Sequence, residues 1–252
     1  MLVVFAALAA LMVVTLGAEI QLARRGPDLV APDTKTLAAT FGSGSSVDVL
    51  WLGDSTAAAV GASRPAGSLS SQVGQHLVDG GTAYTYVMQV IAVSGDRVSD
   101  VLSDQLPQVN DLAPDVVVVS IGANDVVHLS GAGAFHSRYS KLIDGLIGEG
   151  VPADHIVLIG VPDMGAPTRL KQPLRAITGL RARRLDREVR NVAKDKGVHY
   201  VDLFHATSKP FRANPKKYLA SDKYHPSDAG YALWADAIAP AVTAAAATSK
   251  HG

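Results

Sequence analysis

The chain contains no cysteine, which excludes disulfides, thiolate metal sites and a cysteine nucleophile together. It also lacks an excess of charge of either sign, since 23 Lys and Arg stand against 23 Asp and Glu. A nucleic-acid binder normally shows a basic excess, so no nucleic acid is expected among the partners. Aromatic residues make up only 6% of the 252 residues. The two tryptophans, Trp51 and Trp234, fall in segments that read as buried, so no stacking platform for long glycans is expected. Charged residues are sparse, at 18%, whereas hydrophobic ones reach 48%. That balance excludes a disordered chain and suffices for a sizeable core.

What is present begins with an apolar run. Residues 1–20, MLVVFAALAALMVVTLGAEI, are apolar apart from Thr15, Gly17 and Glu19. About 20 such residues span a bilayer as a helix, and no polar stripe marks this one as an amphipathic surface helix. Residues 1–25 are therefore read as a membrane anchor or signal segment. No Lys or Arg precedes Arg24, and Thr15 and Gly17 make a poor cleavage site, so an uncleaved anchor fits better than a secreted protein. The expected location is the extracytoplasmic face of the cell envelope. The Arg24–Arg25 pair opposes this orientation by the positive-inside rule unless further charges precede Met1. Residues 26–46 carry two prolines and end in a Gly/Ser cluster, which reads as a linker. The folded body is placed at 47–246, with a short tail over 247–252.

Within the body, short runs rich in β-branched residues alternate with longer helical patterns. Residues 47–52 (VDVLWL), 84–92 (YTYVMQVIA), 115–121 (DVVVVSI), 155–160 (HIVLIG) and 198–203 (VHYVDL) read as strands. Helical spacing covers 69–78, 98–109, 133–147, 177–196 and 227–246, with Ser227 as an N-cap. Five strands separated by helices predict an α/β domain whose mostly parallel sheet is covered on both faces. In such sheets the active site lies at the carboxyl ends of the strands.

Four short blocks stand at those positions. Gly53-Asp54-Ser55-Thr56 follows the first strand, Val93-Ser94-Gly95-Asp96 the second and Gly122-Ala123-Asn124-Asp125 the third. Ser221-Asp222-Lys223-Tyr224-His225-Pro226 precedes the last helix. Together they offer a hydroxyl, an imidazole, a carboxylate, a backbone amide at a glycine and a side-chain amide. That is the equipment of acyl transfer: nucleophile, base, base-orienter and oxyanion donors.

In this order the blocks GDST, VSG, GAND and DKYHP resemble the SGNH (GDSL-type) hydrolase family of serine esterases and lipases, from residue 47 to about 238. The resemblance implies a three-layer α/β/α sandwich of flavodoxin-like type. It implies Ser55 as the nucleophile, with Asp222 and His225 as orienter and base. It also implies Gly95 and Asn124, beside the Ser55 amide, as the oxyanion hole. Thr56 stands where the family usually has Leu. The chemistry would need neither a metal nor an organic cofactor. The expected function is hydrolysis of carboxylic esters, acylated lipids or small acyl esters, through an acyl-enzyme. Transfer of the acyl group to a sugar or lipid hydroxyl, O-acetyl ester hydrolysis on envelope glycans and a non-catalytic binding module are the alternatives.

A second D-x-x-H, Asp202 with His205, ends the fifth strand and competes with Asp222/His225. His225 is preferred because Pro226 and a helix start follow it. Asp54 and Asp125 read as capping or supporting residues. The arginines between 181 and 190 read as a solvated helix face, with anionic lipid headgroups as the alternative partner. The loop 161–173, punctuated by Pro and Gly, is expected to border the substrate cleft, with Met164 and Leu170 as candidates for an acyl site.

Overall fold

The computed structural model describes residues 14–19, 21 and 25–249. The apolar run at 1–20 therefore lies mostly outside the described residues. Among the described residues no helix is long and apolar enough to cross a membrane.

Six strands form one sheet: β1 (Ala39–Gly42), β2 (Ser45–Gly53), β3 (Tyr84–Val90), β4 (Val116–Ser120), β5 (Ile156–Ile159) and β6 (His199–Val201), in the order β1-β3-β2-β4-β5-β6. All pairings are parallel except that of β1 with β3. Helices α1 (Leu69–Asp79), α2 (Ala123–Val127), α3 (Ala132–Gly148), α4 (Leu174–Lys196), α5 (Leu203–Ala213) and α6 (Asp228–Ser249) connect or cover the strands.

The three layers follow from the two-residue period of the strands. Val49, Trp51, Val116, Val118, Val157 and Ile159 face one core, shared with Val73 of α1 and Trp234, Ile238 and Val242 of α6. Leu50, Leu52, Val117, Val119, Ile156 and Leu158 face the other, shared with Tyr139 and Leu142 of α3 and Leu185 and Val189 of α4. Every residue of β4 is buried, as a central strand covered on both sides requires.

Two expectations need correction. The sheet has six strands rather than five, because β1 arises in the segment read as a linker. Gly42 and Gly44 carry the chain past the start of β3 at φ +86° and +135°, where a Cβ would collide with the Tyr84 and Ala83 carbonyls. Glycine serves a tight crossing here, and its composition is indistinguishable from that of a flexible tether. The helix expected over 98–109 is instead a succession of short turns. An α turn (Val98–Asp100), a π turn (Val101–Gln105) and a 3-10 turn (Leu106–Gln108) lead into Val109–Leu112. Pro107 lacks the N–H that a continuous helix would use, and Gln105 is drawn inward to the end of β2.

Helix ends follow their local chemistry. The Ser68 hydroxyl accepts from the Ser71 amide at the start of α1, and Ser227 receives the Gly230 amide at the start of α6. Gly197, in the left-handed region, closes α4. The chain runs from β2 to β3 on one side and then to β4 on the other. The carboxyl ends of these three strands thus meet at a topological switch point.

Candidate active site

β2 ends at Gly53, whose φ of +146° and contact with the Ser120 carbonyl leave no room for a side chain. The Gln105 side chain seizes this residue from both sides, accepting from its amide at 2.9 Å and donating to its carbonyl at 2.8 Å. The same amide group donates to Asp96 at 2.7 Å. Below the turn, Asp54 Oδ1 accepts from the Thr56 amide at 3.0 Å and the Thr56 hydroxyl at 2.9 Å. The Thr56 hydroxyl has one proton and gives it to Asp54, so its 2.9 Å contact with Ser120 must be one it accepts. Burial pushes the Asp54 carboxyl up to about 6, against the opposing pull of the Thr56 hydrogen bonds. This buried network fixes the turn that carries Ser55.

Ser55 Oγ lies 3.0 Å from His225 Nε2. His225 Nδ1 lies 2.6 Å from Asp222 Oδ2. The Tyr224 and His225 amides donate to the other oxygen of Asp222 at 2.9 and 3.1 Å. Burial alone would raise the Asp222 carboxyl. The hydrogen bonds from the His225 ring and the two amides outweigh it and hold the group below the ordinary carboxylate range. The loop is tied to its base by the Ala220 amide, which donates to the His225 carbonyl at 2.8 Å. Sequence separation between Ser55 and His225 is 170 residues, so it takes the whole fold, with β2 and the loop before α6 brought side by side, to join them.

Gly95 adopts φ +98°, and a Cβ there would meet nothing within 4 Å. Glycine is needed at this position for its conformation rather than for space. Asn124, the second residue of α2, donates from Nδ2 to the Asp96 carbonyl at 2.9 Å and so ties the second and third blocks together. The amides of Ser55 and Gly95 have no acceptor among the described residues. Ser55, Gly95, Asn124 and His225 all line one cleft of about 650 Å³. Its walls are largely apolar and include Met164, Leu170, Leu174, Ile177 and Trp234.

The competing pair is also formed, but elsewhere. His205 Nδ1 lies 2.8 Å from Asp202, which caps α5 and accepts from Arg190 at 2.6 Å. Neither residue lines the cleft that holds Ser55. Asp125 supports the site from beneath, accepting from the Val98 amide and the Ser130 hydroxyl. Sequence reasoning missed Gln105 and Ser120. Their partners lie 52 and 64 residues away, and no local pattern announces such contacts. It also missed Asp163, a buried carboxylate that Arg212 grips with two nitrogens. This pair fastens the loop bearing Met164 to α5.

Residues 51–233 match the model of the GDSL-like lipase/acylhydrolase family. The chain is 38% identical over 126 residues to the GDSL-like esterase Rv1075c of Mycobacterium tuberculosis, a match that spans 50% of this chain and 39% of that protein. Its fold is similar to that of the lipase/acylhydrolase from Enterococcus faecalis (TM-score 0.61, 22% identity, 77% of this chain and 94% of that one). It is also similar to that of Axe2, an acetylxylan esterase from Geobacillus stearothermophilus (TM-score 0.57, 22% identity, 79% and 95%).

Proposed function

The chain belongs to the GDSL-like lipase/acylhydrolase family, and we propose that it hydrolyses carboxylic esters through Ser55, His225 and Asp222. The observation that carries this reading is the unbroken line of hydrogen bonds from Asp222 through His225 to Ser55, opening into an apolar cleft. Serine is a weak nucleophile until a neighbouring base takes its proton. His225 Nε2 receives that proton as Ser55 Oγ attacks the ester carbonyl. Asp222 holds the ring with Nδ1 protonated and stabilises the imidazolium that forms.

Negative charge then develops on the carbonyl oxygen. The Ser55 and Gly95 amides and the Asn124 side chain are the donors that receive it. Collapse of the tetrahedral intermediate expels the alcohol, which takes the proton from His225. Water, activated by the same imidazole, releases the acid and restores Ser55. The substrates we propose are acylated lipids or small acyl esters, because the cleft walls are largely apolar and Trp234, although it lines the cleft, is too buried to serve as a stacking platform.

The envelope setting is part of the same proposal and rests on the apolar run at 1–20. Protease accessibility in intact cells, paired with membrane fractionation, tests it. A body that sediments with membranes and is cleaved from outside supports the setting, and a protected body overturns it. For the chemistry, an organophosphonate probe is expected to label Ser55 alone. Ser55→Ala is expected to abolish both labelling and p-nitrophenyl ester hydrolysis without loss of fold. Labelling that survives Ser55→Ala would overturn the assignment.

A further inference from the structure

One wall of the cleft comes from none of the four sequence blocks. Asp28, from the segment that precedes β1, lines it together with Arg169, Leu170 and Leu174. Arg169 accounts for the position of that segment. Its Nη1 donates to the Pro27 carbonyl at 2.9 Å, and its Nη2 donates to the Gly26 carbonyl at 3.2 Å and to the Asp28 carboxylate at 2.9 Å. A second tie lies at the first turn of α4, where the Leu174 amide donates to the buried Glu19 carboxylate at 2.9 Å. On its other side, the Arg169 amide donates at 3.1 Å to the carbonyl of Lys223, the residue after Asp222. One arginine therefore joins the N-terminal segment to the loop that carries Asp222 and His225.

The strengths of these contacts differ. The Asp28 side chain is 83% exposed, so its ion pair is screened and weak. The Arg169 side chain is only 14% exposed. Withdrawing the segment would take three acceptors away from a largely buried guanidinium, which is costly. Of the three acceptors only the Gly26 carbonyl makes a partly buried contact, so it is the best-shielded hold on the arginine. Gly26 lies directly against the guanidinium, and a Cβ there, 2.6 Å from Arg169 Nε, would push the arginine side chain out of its place.

We propose that Arg169 is the positioning residue that clasps residues 26–28 and so fixes Asp28 in the wall of the catalytic cleft, which holds a medium-length acyl chain beside Leu170 and Leu174. The inference rests on the ester-hydrolase reading and deepens it. An acetyl group reaches only the surroundings of Ser55, whereas an octanoyl chain runs along the clasped wall. Loosening the clasp therefore weakens binding of the longer ester and leaves the chemical step alone.

The test compares p-nitrophenyl acetate and octanoate on the full chain, with Arg169→Gln, Arg169→Lys, Gly26→Ala and the Gly26→Ala/Arg169→Gln double variant. Arg169→Gln and Gly26→Ala are each expected to raise KM for octanoate about tenfold while kcat changes less than about twofold, the mark of lost ground-state binding. KM for acetate stays put, and Arg169→Lys gives an intermediate value. The double variant is no worse than either single one, because both break the same contact. Should Arg169→Gln fail to fold, Gly26→Ala alone decides. An active protein whose octanoate KM ignores Gly26→Ala, or whose two esters suffer equally, overturns the clasp. A wild type that hydrolyses neither ester overturns the ester-hydrolase reading and the clasp with it.

Discussion

Asp54 precedes the proposed nucleophile Ser55 in the chain, Asn124 shares its cleft from α2, and the two do opposite kinds of work. Asn124 lines the cleft with its side-chain amide, one Nδ2 hydrogen of which is given to the Asp96 carbonyl. Asn124→Ala should lower kcat by about 10²–10³-fold, the usual cost of one oxyanion donor. Steady-state kinetics would show a change confined to KM if the residue served substrate binding instead. Asp54 faces away from solvent, and burial raises its carboxyl to about 6 from the ordinary 3.8. A raised carboxyl means that the folded protein holds the proton more tightly than the unfolded chain. The stability this gives is complete below pH 3.8 and is lost as pH climbs through 6. Asp54→Asn should remove that loss. Its denaturation free energy should therefore gain on the wild type by on the order of 1–3 kcal/mol between pH 4 and pH 7. The substitution adds donors that need partners, a cost independent of pH, so the slope of urea-derived stability against pH is the quantity to compare.

The elements were legible to different degrees, for physical reasons. β4, with its unbroken VVVVS, declares a strand buried on both faces, and it is one. The four blocks could be read because catalytic chemistry demands particular residue types at strand ends, and Ser55, Gly95, Asn124 and His225 do share a cleft. Gln105 could not be read, since a glutamine that holds a strand end 52 residues away resembles any helical glutamine. β1 was hidden behind the GSGSS that follows Phe41. Its docking depends on a pair no pattern links: Gly74 of α1 and the Phe41 ring, which occupies the place a Gly74 Cβ would take. Gly74→Val should therefore cost about 1–3 kcal/mol through overpacking, despite valine's better helix propensity than glycine's. Thermal denaturation would measure it. An unchanged melting temperature would mean that β1 is not held against α1.

At the scale of the whole molecule, one sheet separates two cores, and the site lies where the chain changes direction across it. α6 closes the same core face as α1, so the last helix covers strands that were laid down far earlier in the chain. The three-layer arrangement was legible because strand and helix patterns alternate along the chain. The sixth strand and the clasped segment were not, because both depend on contacts made across the fold.

The crossing at Gly42 and Gly44 also dictates an order of assembly. β1 has a single neighbour in the sheet, β3, and β3 must itself lie between β1 and β2. Residues 39–42 have no ladder to join until residues 84–90 are in place to receive them. The stretch that is synthesised first among the strands of this sheet is thus one that settles only after β3 is made. A folding nucleus that excludes β1 predicts that Phe41→Ala accelerates unfolding and leaves the folding rate unchanged. Stopped-flow chevrons would reveal the contrary order as a slowed folding arm. A chain emerging from the ribosome would carry its N-terminal strand unpaired, an open edge on hold, until β3 arrives to receive it.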